Sequence, residues 1–462
     1  MHKHILPIFI AAQLLNGPAI AAEPTNTQTP SSVRIDLDAL PLPKANSSAN
    51  DGYADLEQDA PELSLFSATA NDENSVSGLI ITRSGNPLPE SGMLRPPFHL
   101  RSKSNAPIGI DYLTPEIIKN FYGVSAIQNN PQGAGQTIAI INAYHNPNIA
   151  DDLNVFSQQM GLPLCTTANP CFKQAYASGK QPAADKGWAV EIALDVEWAH
   201  ALAPKANILL VEADSNSLND LLQAVDYAVK NGANVVSMSF GGAEFPSEGL
   251  YDFHFDVPNV IFTASSGDNG DGVEYPAASP YVVAVGGTSI NTDSTGAYLG
   301  ETGWSGSGGG VSLYETAPAY QQSFTGAAAQ NLRGVPDVAY GADPQVGYYI
   351  YDSFSAPGWL RIGGTSAGAP QWAALFAVAN SIKNSAAATL QNVNNLLAAN
   401  TLLYDAAANL SIYPTYYHDI TSGGNGGCGS LCNAASGYDY VTGLGSPIAN
   451  KLLAYVGGNL SP

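Results

Sequence analysis

Five short apolar runs punctuate the middle of the chain: QTIAIIN (136–142), ANILLVEA (206–213), NVVSMSF (234–240), NVIFTASSG (259–267) and YVVAVGGT (281–288). They are rich in β-branched and other apolar residues, and most end in Gly, Ser or Asn or next to one, which predicts buried strands. Helical stretches lie between several of them. Alternation of strand and helix predicts an α/β fold with a parallel sheet covered by helices on both faces. One helix, predicted over 187–204 (GWAVEIALDVEWAHALAP), is apolar apart from Glu191, Asp195, Glu197 and His200. No period of 20–50 residues repeats, which excludes a solenoid.

The pattern ahead of this region is different. Residues 1–22 have a short basic start, an apolar run from Ile5 to Leu15 and small residues at Ala19 and Ala21. That predicts a signal peptide cut after Ala21 or Ala22, and a secreted protein, extracellular or periplasmic. A membrane anchor is disfavoured by the length of the run and by Pro7, Gln13 and Asn16 within it. Residues 23–106 are rich in Ser, Asn, Asp, Pro and Ala, with one strand-like run at 77–85 (SGLIITRSG), and read as a weakly ordered leader or short propeptide. Residues 107–462 then form one large domain.

Charge narrows the possible partners. The chain has 17 Lys and Arg against 39 Asp and Glu, a formal net charge of −22. A nucleic-acid binder working through phosphate contacts needs the opposite balance. With 45% hydrophobic and 12% charged residues, the chain can bury a sizeable core. Its 46 glycines and 31 prolines favour a loop-rich domain over a helical bundle. Four cysteines in an exported chain favour two disulfides, with Cys165–Cys171 and Cys428–Cys432 the favoured pairing of three; a four-cysteine metal site is the alternative.

Three segments could carry chemistry. In GGTSAGAPQWAALFAVANSIK, glycines and a threonine lead into Ser366, and an apolar helix follows with Pro370 in its first turn. Ser366 fits a plain N-cap serine, the favoured reading on these residues alone; the alternative is an exposed nucleophile, which needs a base. None of the seven histidines has a glycine-rich surround of the kind a histidine base would have. The helix at 187–204 offers carboxylates instead: Glu191 and Asp195, four residues apart, share one face about 5–6 Å apart at Cβ. Such a pair titrates jointly, one member pushed up and the other down. A glutamate with an ordinary value near 4.3 still accepts a proton at a pH where histidine, near 6.5, is already charged. Asp268, in TASSGDNGDG at a predicted strand end, fits an Asx turn; protonated, it could also donate to a developing oxyanion.

Together these segments resemble the sedolisins, the serine-carboxyl peptidases, from about Gly109 to Pro462. E-x3-D followed by A-H-A-x-A-P, then S-G-D at a strand end, then G-G-T-S-x3-P occur here in the family's order. The resemblance implies a subtilisin-like seven-stranded parallel sheet, with Ser366 as nucleophile, Glu191 as general base and later acid, Asp195 orienting Glu191 and sharing its proton, and Asp268 as oxyanion donor. It implies one structural calcium ion held by the side chains of Asp419 and Asp439 and the carbonyls of Ile420, Ala435 and Gly437, in HDITSGGNGG and ASGYDYVTGLGSP. It also implies an acid-acting secreted endopeptidase, a monomer without a membrane anchor, whose partners are protein or peptide substrates. A tripeptidyl-type exopeptidase and a non-catalytic secreted binding protein are the alternatives. The chain departs from the family in its short leader and at Phe240, where many members have tryptophan. Asn142 stands where subtilisin has its catalytic aspartate, against a histidine-dependent mechanism.

Overall fold

The apolar runs fold into the centre of one sheet. In the computed structural model, which describes residues 93–100, 112–324, 331–356, 358–386 and 398–458, the sheet strands are β1 (Thr137–Ala143), β2 (Phe172–Tyr176), β3 (Asn207–Ala213), β4 (Val235–Met238), β5 (Ile261–Ser265), β6 (Val282–Thr292), β7 (Tyr298–Gly303) and β8 (Val338–Gly341). Their order across the sheet is β7-β6-β5-β4-β1-β3-β2, with β8 paired to β6. Seven are parallel and β7 alone runs antiparallel. The expected seven-stranded parallel sheet is therefore present, with one antiparallel strand added.

Alternation along each strand sends side chains into two separate cores. Ile138 and Ile140 of β1 and Ile208 and Leu210 of β3 join a cluster with apolar residues of helices α1 (Ile149–Gln159), α2 (Lys186–Leu202) and α4 (Gly368–Ala386). Ala139 and Ile141 of β1 and Leu209 and Val211 of β3 face a second cluster with helix α3 (Leu218–Lys230). A sheet buried on both faces explains why the runs read as continuously apolar.

Helix α2 lies in the middle of this packing. Asp185 caps it, accepting from the Trp188 N–H at 2.9 Å. Every residue from Gly187 to Leu202 is buried, the four polar side chains included, so none of them forms a solvated stripe. The cysteines pair as favoured, Cys165 with Cys171 and Cys428 with Cys432. No helix among the described residues is long and apolar enough to cross a membrane. The proposed signal peptide, the run at 77–85 and most of the leader lie outside the described residues.

Candidate active site

The carboxyl ends of the parallel strands converge where ligands bind in open α/β sheets. Strand β1 ends on Asn142 and Ala143, β4 leads into Ser239, and β5 leads through Gly267 to Asp268. Gly267 has φ +110°, the region that glycine enters freely, and this turns the chain so that Asp268 faces inward. Gly364, at φ +129°, does the same for the tight turn Thr365–Ala367 that carries Ser366 into α4. Helix α2 runs beside this turn and presents Glu191 and Asp195. The four residues singled out in the sequence are thus brought together, and Glu191, Asp195 and Ser366 are each 0% exposed.

Neighbours divide the labour between the two acids. Asp195 accepts from Asn142 Nδ2 at 2.9 Å on one oxygen and from Ser239 Oγ at 2.7 Å on the other. Glu191 has no such fixed donors: the Asp195 carboxyl and the Ser366 hydroxyl face it, but neither closes an aligned hydrogen bond. Asp268 Oδ1 accepts from the Thr365 N–H at 2.7 Å and the Thr365 hydroxyl at 2.8 Å, whereas among the described residues Oδ2 has no hydrogen-bond partner. One oxygen is anchored and the other faces the site.

Burial shifts all three carboxyls toward the protonated form. It raises Glu191 well above its usual range, and the adjacent Asp195 charge raises it further, against the pull of the Ser366 hydroxyl. Asp195 is pushed up to about 7 by burial, with the Ser239, Asn142 and Glu191 contacts opposing the rise. Asp268 is raised well above the carboxylate range by burial, despite its two bonds from Thr365. Since Asp195 has two fixed donors and Glu191 none, the pair's negative charge rests on Asp195 and its proton on Glu191.

A strap crosses the site. Met93 and Arg95 bridge to Ser217 and Gly241, and His99 and Leu100 pair antiparallel with Gly363 and Ile362. Between these anchors, a Cβ added at Gly364 would stand 2.5 Å from the Pro97 carbonyl oxygen and 2.8 Å from Phe98 Cα. His99 Nε2 lies 3.7 Å from Asp268 Oδ2, and its ring meets Trp304 edge-on. Sequence reasoning found neither this strap nor Ser239 and Thr365. Ser239 and Thr365 adjoin predicted motifs and were legible only as neighbours, while RPPFH carries no signal at all.

The five expected calcium ligands also gather. Asp419 accepts from the Gly437 N–H and the Ser436 hydroxyl, each at 3.0 Å. Asp439 accepts from the Ala435 N–H at 3.0 Å and from the Val441 and Thr442 N–H groups, each at 2.8 Å. The two carboxylates thereby bracket the 435–437 turn. Among the described residues no donor reaches the carbonyl oxygens of Ile420, Ala435 or Gly437. Hard oxygens left without protein donors beside two acids fit a calcium ion.

The model of the subtilase family matches residues 184–424. Sedolisin of Pseudomonas sp. (strain 101) is 30% identical over 369 residues, covering 71% of this chain and 59% of that protein. Kumamolisin of Bacillus sp. (strain MN-32) is 33% identical over 392 residues, covering 77% and 65%. Tripeptidyl-peptidase 1 of Dictyostelium discoideum is 28% identical over 386 residues, covering 75% and 59%. The solved structure of Pseudomonas sedolisin, complexed with two molecules of pseudo-iodotyrostatin, superposes with a TM-score of 0.64 at 28% identity, covering 77% of this chain and 100% of that one. The chain thus spans 59–65% of the length of these curated relatives.

Proposed function

Because the chain belongs to the subtilase family and, within it, to the sedolisins, we propose that it is a secreted serine-carboxyl endopeptidase acting in acid on protein or peptide substrates. The observation that carries this reading is one buried site holding the Ser366 hydroxyl, a carboxyl pair and the half-anchored Asp268. Ser366 Oγ attacks the scissile carbonyl carbon. Glu191 takes the hydroxyl proton while its own passes toward Asp195, so a pair holding one proton briefly holds two. Asp268, protonated, donates from Oδ2 to the oxyanion. Collapse expels the amine, which leaves with a proton from Glu191, and water releases the acyl group from Ser366 by the reverse route.

The strap supports action within chains rather than only at their ends. It engages the groove at Met93, Leu94 and Arg95 on one side of the Pro97–Phe98 bond and at His99 on the other. A groove closed three residues from the reacting bond, as a tripeptidyl-type exopeptidase requires, would leave no place for Leu94 and Met93. Residues 23–106 are read as a short propeptide, of which the stretch 93–100 lies in the groove that a substrate needs. Asp419, Asp439 and the carbonyls of Ile420, Ala435 and Gly437 would hold a single calcium ion, which when bound supplies a fixed charge that ties the C-terminal loop.

The test is the pH dependence of cleavage of an internally quenched peptide mixture by the purified full chain. An optimum below pH 6, with losses of at least about a thousandfold in Ser366→Ala and Glu191→Ala, is expected. An optimum above pH 7, or activity retained by either variant, overturns the mechanism; complete inactivity of the wild type favours a secreted binding protein that keeps the fold.

A further inference from the structure

The strap lies in the groove as an added strand does, through main-chain pairing that any peptide could copy. The Leu94 N–H donates to the Asn216 carbonyl at 2.8 Å, and Asn216 Nδ2 returns a bond to the Leu94 carbonyl at 2.6 Å. Arg95 and Gly241 exchange both backbone bonds, at 3.2 and 3.1 Å. Past Pro96 the chain reaches the Pro97–Phe98 bond beside Gly364, two residues before Ser366, then pairs with Gly363 through His99. Counting back from that bond, Pro97, Pro96 and Arg95 are the first, second and third residues on its amino side.

What faces the third residue is Glu274. It belongs to the two-residue strand Glu274–Tyr275, paired with Gly242–Ala243, and its side chain lies on the bare Cα of Gly241. A Cβ at Gly267 would stand 2.6 Å from its other oxygen, so the carboxyl is lodged between two glycines, one of them next to Asp268. Glu274 is buried, and among the described residues none donates a hydrogen bond to its carboxyl. Arg95 is the positive charge that acts on it, opposing burial that raises the carboxyl to about 7. Asp268 is the other ionisable group facing it. A buried carboxyl acted on by a cation from a segment lying in the substrate path has the make-up of a recognition element.

We propose that Glu274 selects substrates by the third residue on the amino side of the cleaved bond, favouring arginine or lysine there. This rests on the peptidase reading above. Binding energy at a site remote from the bond would reach Ser366 by fixing the peptide's register on Gly241 and Gly363.

Two measurements test it on the full chain. The first compares kcat/KM for quenched peptides identical except for Arg, Lys, Gln or Glu at the third position. Arg and Lys are expected to exceed Gln by about tenfold, more near pH 6 than near pH 4 as Glu274 ionises, and Glu274→Gln is expected to bring the ratio to about one. Equal rates for Arg and Gln, a preference unchanged in Glu274→Gln, or a cation favoured only at the first position overturns the proposal. Should no peptide be cleaved, the peptidase reading fails, and hydrogen exchange in the strap decides on Glu274 separately. Arg95→Gln and Glu274→Gln should each speed amide exchange at Leu94, Arg95 and His99 about tenfold, with no further gain in the double variant. Unchanged exchange in either single variant overturns it.

Discussion

In the mechanism proposed above, Asn142 and Ser239 act through Asp195 as positioning residues, and this gives them a distinct experimental signature. Both donate to the Asp195 carboxylate, so removing either donor makes the pair hold a second proton, the one on Asp195, more tightly. The acid limb of the kcat/KM profile in Asn142→Ala is therefore expected to move to higher pH by roughly one unit, with activity at the wild-type optimum falling about tenfold. A merely structural loss would lower the profile without moving it. Glu191, Asp195, Asp268 and Ser366 were legible in the sequence because spacing and flanking glycines are local properties. Ser239, Thr365 and Glu274 were not, since each matters through contacts made by residues far away in the chain. The Thr365 bonds to Asp268, for example, span 97 positions.

Strands and helices show the same division. The five central strands were legible because burial on both faces makes them mostly apolar, with only a few enclosed polar residues such as Glu212, Ser237 and Thr263, although β6 runs on to Thr292. Strand β2 escaped because it is an edge: Phe172–Tyr176 is buried only at Ala175. Strand β8 escaped because its four residues, VAYG, are too short to show a period, and its place is fixed by pairing with β6. Helix α2 was predicted as a helix with two acids on one face, but whether that face met water depended on α4 and β1 packing around it. At the C-terminal loop, two carboxylates beside three free carbonyls give a clear expectation for metal removal. Chelation should lower the melting temperature of the wild type by several degrees and shift Asp419→Ala little, as checked by calorimetry. Equal shifts in the two proteins would remove calcium from this loop.

For the molecule as a whole, the net charge of −22 and the buried acids act in the same direction. Glu274 and Glu315 are each raised to about 7, and Asp252 to about 6, with burial the leading cause in every case. A carboxyl whose folded value exceeds its unfolded value binds more protons when folded. The stability linked to it is complete below the unfolded value, near pH 4, and is lost as pH rises through the folded value. Unfolding free energy measured in urea should therefore fall between about pH 4 and pH 7, by up to roughly 1.4 kcal/mol per pH unit for each extra proton held. A flat or rising profile over that range would show that these carboxyls are ionised in the folded protein. Helix α2 carries the same linkage into the packing of one element. It enters the core with Glu191 and Glu197 fully enclosed and raised by burial, so seating it is coupled to proton binding. In acid those protons are already in place; at neutral pH the docking of this helix takes them up from solvent.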